Sequence, residues 1–412
     1  MTASLSAPTQ RAAWLEHWLS ELPPAAGPLA AVQQRGRDAL AQQGVPSSRM
    51  EDWRFTDLSL LKGLPLGAPQ AAQPSAGSSG SGLQLQLDGS SDPLAGVTLP
   101  EGLEPLSASE VAQGLGHTLA ATSCEQHWPV ELNHASATQL LALRVKSRTS
   151  AALELVSACA GGMLPLRILL VLEEKAELDL SQLIEAQGAG LVSVVIEAHL
   201  ARSAQLRHGL VALGNSDAAL FSHIAVEQEP ESQAALSSVA AGWGLARHEP
   251  RLVQVDGQAH STLRGLQLVG GQQIADTHSF VQFSGPEGEL DQVHKAVAAG
   301  QGRSVFNGAV RVPREAQRTN AAQLSRNLLL SDRARIDTKP ELEIVADDVK
   351  CAHGATVSSL QTDELFYLQS RGIGAEQAAG LLKRAFCEEV LCTLPEPARQ
   401  WSPLDQLELE SA

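Results

Sequence analysis

The sequence predicts a mainly β protein with helical ends, and three observations support this prediction. Between about residues 130 and 344, short apolar or alternating runs such as LRILLVL and LVSVVIEAHL are separated by glycine, asparagine or acidic residues. These runs recur roughly every 10–14 residues without a copied motif, which suits a sandwich, a barrel or a β-solenoid. Aromatic residues make up only 3% of the chain and small residues are abundant, which favours narrow stacked rungs over a sandwich core.

Residues 1–64 predict a helical N-terminal region. Four large apolar side chains recur there at helical spacing: Trp14, Leu15, Trp18 and Leu22. The stretch 29–43 is rich in alanine and glutamine, and a capped turn at 47–54 is expected to pack Trp53 inward. The next segment, 65–93, contains PSAGSSGSG and has too few apolar residues to fold by itself, so we expect a flexible linker or a long loop.

The β region, with its lead-in, is assigned to 94–360, and 361–412 predicts a C-terminal helical segment. Thr362-Asp363-Glu364 offers an N-cap with acidic residues in the first turn, and Gly372 and Gly374 mark the end of that helix. A second helix follows with one apolar stripe: Ala378, Leu381, Leu382, Ala385 and Phe386. These short helices must pack on the β region or on a partner, and the pattern leaves that choice open.

Composition argues against several classes of function. The chain carries 30 Lys and Arg against 46 Asp and Glu, and a formal net charge of −16 disfavours binding to nucleic acid or to anionic membranes. Arg11, Glu16 and His17 interrupt the place where an export signal needs an apolar stretch, and no segment is apolar enough to span a bilayer. The 5 cysteines are odd in number and scattered, so we expect reduced thiols and a cytoplasmic protein.

The stretch VKCAHGAT, residues 349–356, contains the most suggestive pair, Cys351 and His353. Residues two apart in a strand point to one face, so the pair can share a ligand, but a closed metal site needs about four ligands. Taken alone, the residues favour a small buried cysteine and a histidine satisfied at a strand end. A cysteine nucleophile with a histidine base lacks an identifiable orienting residue or oxyanion hole. The adjacent Asp347-Asp348 either binds a hard cation or, as we favour, forms a polar turn.

Other candidate residues give weaker signals. Four histidines of the β region have no second histidine or cysteine two positions away: His248, His260, His278 and His294. We expect them to be surface or hydrogen-bonded residues. The glycine-rich QGRSVFNG offers no phosphate cradle and the chain has no GxxxxGK[ST] motif, so any nucleotide hydrolysis requires another subunit.

A series of segments between 276 and 386 is far more specific than any single motif. The series is ADTHSFVQF, GRSVFNGAVRV, AQRTNAAQLSRNLLLSDRARIDTKPELEI, ADDVKCAHGAT, LFYLQSRGI and LLKRAF, with a thinner echo in EDWRFTDL at 51–58. In this order it closely resembles the SufB/SufD family of iron–sulfur cluster assembly proteins. Within that family the chain is most similar to SufD, because it reads CAHGAT where SufB-like chains read an EHEAT-type sequence. QLSR at 323–326 also lacks the cysteine that SufB-like chains carry there.

The resemblance implies a right-handed parallel β-helix flanked by an N-terminal helical region and a C-terminal helical segment. It implies a non-catalytic scaffold subunit that pairs with a SufB-like chain through the β-helix cores and docks a SufC-like ABC ATPase, in which ATP is hydrolysed. Cys351 and His353 match positions that help hold iron or a nascent iron–sulfur cluster transiently at the SufB–SufD interface, where a half-site is sufficient. The ATPase-docking segment matches Leu365, Phe366, Tyr367, Arg371, Gly372 and Ile373.

Two other functions stay open at this stage. A structural adaptor would position the ATPase without contributing a ligand, and Cys351 and His353 would then be dispensable. A β-helix enzyme acting on acidic polysaccharides would be exported and would line a groove with aromatic and basic residues, unlike this acidic, aromatic-poor chain. The sequence leaves undecided the cluster type, the iron donor, flavin binding and whether the chain forms homodimers without its partner.

Overall fold

The centre of the molecule is a stack of long parallel strands. The fold is described by a computed structural model, which describes residues 13–75, 82–401 and 404. The strands are β1 (Gln70–Ala71), β2 (Leu83–Gln86), β3 (Leu103–Pro105), β4 (Leu141–Val145), β5 (Ser150–Leu172), β6 (Glu177–Ala186), β7 (Gly190–Leu200), β8 (Gln205–Leu213), β9 (Ala218–Gln228), β10 (Gln233–Ala241), β11 (Leu245–Gln254), β12 (His260–Val269), β13 (Ile274–Phe283), β14 (Glu289–Ala298), β15 (Arg303–Val312), β16 (Asn320–Leu329), β17 (Arg335–Ile344) and β18 (Lys350–Ser358).

Helices lie at both ends of the chain and in the lead-in to the strands. They are α1 (Ala13–Glu21), α2 (Ala30–Gln43), α3 (Ala108–Gly114), α4 (His117–Ala121), α5 (Trp128–Ser136), α6 (Thr362–Ser370), α7 (Ala375–Leu391) and α8 (Glu396–Gln400). Short 3-10 helices lie at Gly27–Leu29, Glu51–Trp53 and Ser59–Gly63.

The strands stack into two parallel faces. The first face consists of β6, β8, β10, β12, β14, β16 and β18, and the second face consists of β7, β9, β11, β13, β15 and β17. The long strand β5 belongs to both faces, because its first half pairs with β6 and its second half with β7. Successive partners, such as His260 with Glu289 and Asn320 with Lys350, are about 30 residues apart, which is the length of one solenoid rung.

A residue in the left-handed conformation lies in the turn before β5 and before each first-face strand from β6 to β16. These residues are Arg148, Lys175, Ser203, Glu231, Gln258, Glu287 and Arg318. None is glycine, so each conformation costs on the order of 1 kcal/mol. The cost is offset because each N–H donates to a carbonyl of the next turn, as Lys175 N does to Arg202 O at 3.1 Å and Arg318 N to Asp348 O at 2.6 Å. Asp347-Asp348 thus lies in the polar turn that the sequence predicts.

The interior of the β-helix becomes more polar toward its C-terminal end. Leucine, isoleucine and valine dominate the core of the early rungs. In later rungs, Gln323 Nε2 donates to Gln292 Oε1 at 2.9 Å, and Gln292 Nε2 donates to Ser279 Oγ at 2.7 Å. Burial lowers the pKa of His294 in a later rung to about 3, as it does for His208 in an earlier rung, so both imidazoles are neutral at neutral pH.

The N-terminal helices pack on the second face. Gly36 on α2 allows close approach to α5, since an added Cβ would lie 2.6 Å from the backbone nitrogen of Ala135. Trp53 packs inward as predicted: its ring lies 5.9 Å from that of Trp128 and 6.4 Å from that of Phe221, both edge-on. Helices α1 and α2 confirm the helices predicted for this region. Together with Trp53 they cover one side of the β-helix.

The segment 65–93, predicted as a flexible linker or a long loop, instead contributes two strands to the β-helix. β1 pairs antiparallel with β5, β2 pairs parallel with it, and Leu85 of β2 is buried in the core. Residues 76–81, the centre of PSAGSSGSG, lie outside the described residues. The sequence pattern missed both strands because they are short and are stabilised by pairing with β5, not by their own apolar content.

The C-terminal helices α7 and α8 pack on the first face. Val390 and Leu391 of α7 join an apolar cluster with outward-facing residues of several strands. Lys295 of β14 anchors the helix, because its Nζ donates to Phe386 O at 2.7 Å and lies 2.5 Å from Glu389 Oε2. In contrast, α6 has no buried residue, so the hairpin of α6 and the first turns of α7 leaves an apolar surface exposed.

The structure confirms a mainly β protein built on a parallel β-helix with helices toward both ends. Of the three architectures that the strand spacing allowed, the solenoid is therefore correct. No helix within the described ranges is long and apolar enough to cross a membrane. The boundaries proposed for the four regions of the chain remain predictions.

Candidate functional site

Cys351 and His353 lie on β18, the last strand of the first face. β18 pairs with β16, which places Cys351 beside Ala321 and His353 beside Gln323. β17 pairs in the same way with β15 on the second face. Within the described residues, no strand pairs with the remaining edge of β17 or β18. We call these two strands, with the connecting turn at 345–349, the open end.

Both side chains continue columns of residues that run along the inside of the β-helix. The first column is Leu178, Leu206, Ala234, Ser261, Leu290, Ala321 and Cys351. The second column is Leu180, His208, Leu236, Leu263, Gln292, Gln323 and His353. Cys351 is half-buried and His353 is exposed, because no described strand stacks above them. A rung supplied by another chain would cover both side chains.

The residue types of this pair are those of a metal ligand set, and the thiol is not activated as a nucleophile. Burial raises the pKa of the Cys351 thiol, so the protonated form dominates at neutral pH and the sulfur is a weak nucleophile. Thiolate sulfur and imidazole nitrogen are ligands for iron and for iron–sulfur species. In the described part of the chain, the buried Oε1 of Gln323, next to His353, has no hydrogen-bond partner. The open end therefore presents two ligand atoms and an unsatisfied acceptor.

The open end also exposes apolar side chains. Ile344 is 40% exposed, Val345 59% and Val357 46%. Unpaired edge strands present backbone N–H and C=O groups that can bind another strand. Charged residues on β17 limit unselective pairing: Lys339 Nζ, for example, lies 2.7 Å from Glu341 Oε1. Exposed apolar residues beside charged strand residues favour binding to one partner with a complementary surface over unselective association.

The predicted docking residues lie on α6 and in the turn that follows it. They are Leu365, Phe366, Tyr367, Arg371, Gly372 and Ile373. Phe366 is 69% exposed and Tyr367 57%, and Leu381 on the neighbouring α7 is 46% exposed. The guanidinium of Arg371 lies 5.3 Å from the centre of the Tyr367 ring, and Gly372, at φ +86°, lets the chain turn back into α7. The hairpin is therefore a structured surface with two large exposed aromatic side chains.

The isolated histidines of the β region have mostly ordinary environments. His248, His260 and His278 lie 3.3, 2.9 and 3.0 Å from an oxygen of a neighbouring side chain, as predicted. His294 differs, because it is buried, stacks on Phe306 at 4.3 Å and has no hydrogen-bond partner within the described residues. None of the four faces the open end.

The sequence analysis missed one group of ligand-type side chains. His127 precedes α5, His223 lies on β9 and Glu249 on β11, and their ligand atoms all lie within 4.8 Å of one another. No motif spacing reveals this group, because only the register of the rungs places His223 beside Glu249. The helix that begins after His127 brings the third side chain to the same place.

Comparisons with known proteins identify the family of the chain. Residues 155–386 match the family model described as SUF system FeS cluster assembly, SufBD core domain. The chain is also 31% identical over 404 residues to an iron–sulfur cluster assembly SufBD family protein of Synechocystis, covering 88% of this chain and 87% of the relative. The chain belongs to the SufBD family. These matches confirm the predicted family and support a role of the chain in iron–sulfur cluster assembly.

Two further relatives show how widely the likeness extends. Protein ABCI7, chloroplastic, of Arabidopsis thaliana is 31% identical over 423 residues, covering 95% of the SufBD family chain and 89% of the relative. The iron–sulfur cluster assembly protein SufD of Escherichia coli is 34% identical over 194 residues, covering 47% of this chain and 45% of that protein. The matched core, 155–386, includes both the open end and the α6–α7 hairpin. Both candidate surfaces therefore lie in the part of the chain that the family shares.

Proposed function

We propose that this chain is a non-catalytic scaffold subunit that pairs with a SufB-like chain through its open end. The observation that carries the proposal is the uncapped last rung, where exposed apolar side chains adjoin two unpaired strand edges. Each described strand from β5 to β16 is paired on both sides, so the uncovered last rung is a template for another β-helix. The same surface could pair with a second copy when the partner is absent.

The interface formed in this way would hold iron or a nascent iron–sulfur cluster as cargo. Cys351 and His353 supply one sulfur and one nitrogen from this chain, and the SufB-like chain would supply the remaining ligands. Pairing would also remove the cargo from water, because both side chains top columns that are buried in every earlier rung. Family membership supports the iron–sulfur role, and the position of the pair supports this site for it.

The α6–α7 hairpin is proposed to dock a SufC-like ABC ATPase. Its exposed Phe366 and Tyr367 resemble the aromatic anchors that dominate protein interfaces. The other end of α7 is fixed to the first face through Lys295, so a force on the hairpin would reach β14 directly. ATP hydrolysis would then occur in the partner and reshape the interface between the two β-helices.

The proposed role needs neither an activated nucleophile nor a nucleotide site in this chain. Burial raises the pKa of the Cys351 thiol, so this thiol would have to lose its proton on binding metal, as metal-bound cysteines do. All five cysteines are free, which supports a reducing compartment, and we propose the cytoplasm.

Anaerobic co-purification tests the proposal. The tagged chain is expressed with SufB-like and SufC-like proteins, and the complex is analysed by size exclusion with mass detection and by iron and sulfide assays. We expect a complex with one copy of each β-helix chain, two ATPase subunits, and iron and sulfide in the peak. A chain that stays monomeric with both partners present would contradict the proposal.

A further inference from the structure

A cleft of about 980 Å³ lies between the N-terminal helical region and the second face of the β-helix. Its lining includes His127, Arg247, Glu249, Arg251 and His278. His223 lies behind these lining residues, and its side chain is 1% exposed. The cleft is therefore roomy and polar, and it ends at the His127, His223 and Glu249 group.

The geometry of the group resembles that of a metal site. His127 Nδ1 lies 3.0 Å from Glu249 Oε2, and His223 Nδ1 lies 3.7 Å from the same oxygen. Ligands about 2.0–2.2 Å from a tetrahedral or octahedral ion are roughly 3–3.6 Å from one another. All three ligand atoms lie within 4.8 Å, so small rotations of the side chains, above all of the partly exposed His127 ring, would bring them to ligation distance.

The buried histidine supplies an independent observation. In the described part of the chain, neither ring nitrogen of His223 has a hydrogen-bond partner. An unsatisfied buried polar group is costly, so this imidazole is expected to have a binding partner. The ion-pair contact of His223 is with Glu249 Oε2, the same oxygen that contacts His127 at the edge of the cleft.

The neighbouring arginines leave the ligand oxygen of Glu249 accessible. Arg247 Nε binds the other carboxylate oxygen, Oε1, at 2.6 Å, and Arg247 Nη1 binds Asp276 Oδ2 at 2.7 Å. Arg251 donates through Nε to Thr122 O at 3.0 Å. Asp276 offsets the charge of Arg247, while Arg247 fixes Glu249 so that Oε2 points to the two histidines. This is the outer hydrogen bonding that orients a metal-ligating carboxylate.

We propose that His127, His223 and Glu249 bind a divalent first-row transition-metal ion, whose remaining coordination positions face the cleft. Two imidazoles and one carboxylate form the donor set that Fe²⁺, Zn²⁺ and Co²⁺ accept, whereas Mg²⁺ and Ca²⁺ prefer oxygen ligands. Three protein ligands leave positions for water or a small anion, and the guanidinium of Arg251 lines the same cleft. The proposal does not depend on the iron–sulfur role, since it involves neither Cys351 nor His353.

Metal titration of the full-length chain tests the site. The background protein carries Cys351→Ala, His353→Ala and Cys392→Ala, so that accessible thiols and the open end do not bind the probe. After chelator treatment, Co²⁺ is titrated by visible absorption and Zn²⁺ by calorimetry. We expect one ion per chain, at least tenfold weaker binding after His127→Gln or His223→Gln, and a metal-dependent rise in Tm only with the intact site.

His294→Gln is the matched control, because His294 is buried on a strand and also lacks a hydrogen-bond partner within the described residues. It should bind metal like the background protein. His127 is one-third exposed, so His127→Gln tests the site even if His223→Gln impairs folding. No stoichiometric binding by the background protein, or equal binding by a folded His127→Gln variant, would overturn the proposal.

Discussion

Replacing Cys351 and His353 together with alanine lowers the iron and sulfide retained by the complex with the SufB-like chain, while the complex itself still forms. Loss of even an outer hydrogen bond to a metal ligand costs roughly 10- to 100-fold in affinity, and removing two ligands should cost at least as much. Neither residue is fully buried, so the free energy of unfolding should change by less than about 1 kcal/mol. Iron and sulfide are measured per complex after anaerobic size exclusion.

The matched control is Cys392→Ala with His260→Ala. Cys392 is an exposed free thiol on the C-terminal segment, and His260 is a partly exposed strand histidine that pairs with Glu289. This pair removes the same atoms from places away from the open end, so cluster content should stay at the level of the unmodified chain. If Cys351→Ala with His353→Ala leaves the cluster content equally unchanged, this chain is an adaptor without a cluster ligand.

Phe366→Ala with Tyr367→Ala should weaken binding of the SufC-like ATPase by about 100-fold or more. Truncation of a central interface aromatic residue costs about 2 kcal/mol or more, which is roughly 30-fold for each side chain before non-additivity. Since α6 has no buried residue, the β-helix and the anchored part of α7 should be unaffected. Calorimetric titration of the purified ATPase into the variant measures the loss directly.

Met50→Ala provides the comparison for this second variant. Met50 is also a large exposed apolar residue, at 37% exposure, but it lies in the N-terminal region. Its truncation should leave ATPase affinity within experimental error. Unchanged affinity of the Phe366→Ala, Tyr367→Ala variant would mean that the ATPase binds elsewhere, and the role of the hairpin would have to be abandoned.

Much of the fold was predictable from local pattern. Short apolar runs at regular spacing, few aromatics and many small residues favour a solenoid, and the helical spacing of Trp14 to Leu22 predicts helix in the N-terminal region. The pair at Cys351 and His353 was also visible, because period-2 geometry puts residues i and i+2 on one face. Only the rung register shows that this face is the uncovered end of two interior columns.

The remaining features depend on contacts between distant parts of the chain. β2 gains its stability from β5, so its own composition predicts a loop instead. The left-handed turn residues, such as Lys175 and Arg318, are not glycine, and only the hydrogen bond to the following turn explains their conformation. The grouping of His127 with His223 and Glu249 likewise joins three segments whose spacing carries no motif.

Amide hydrogen exchange at the open end tests the central claim most directly. Unpaired edge amides exchange quickly, and pairing with a partner strand protects them. On addition of the SufB-like chain, we expect slower exchange in peptides spanning β17 and β18, and no change in β12, which is paired on both sides. Unchanged exchange at 335–358, with protection elsewhere on the chain, would show that the partner does not join at the open end.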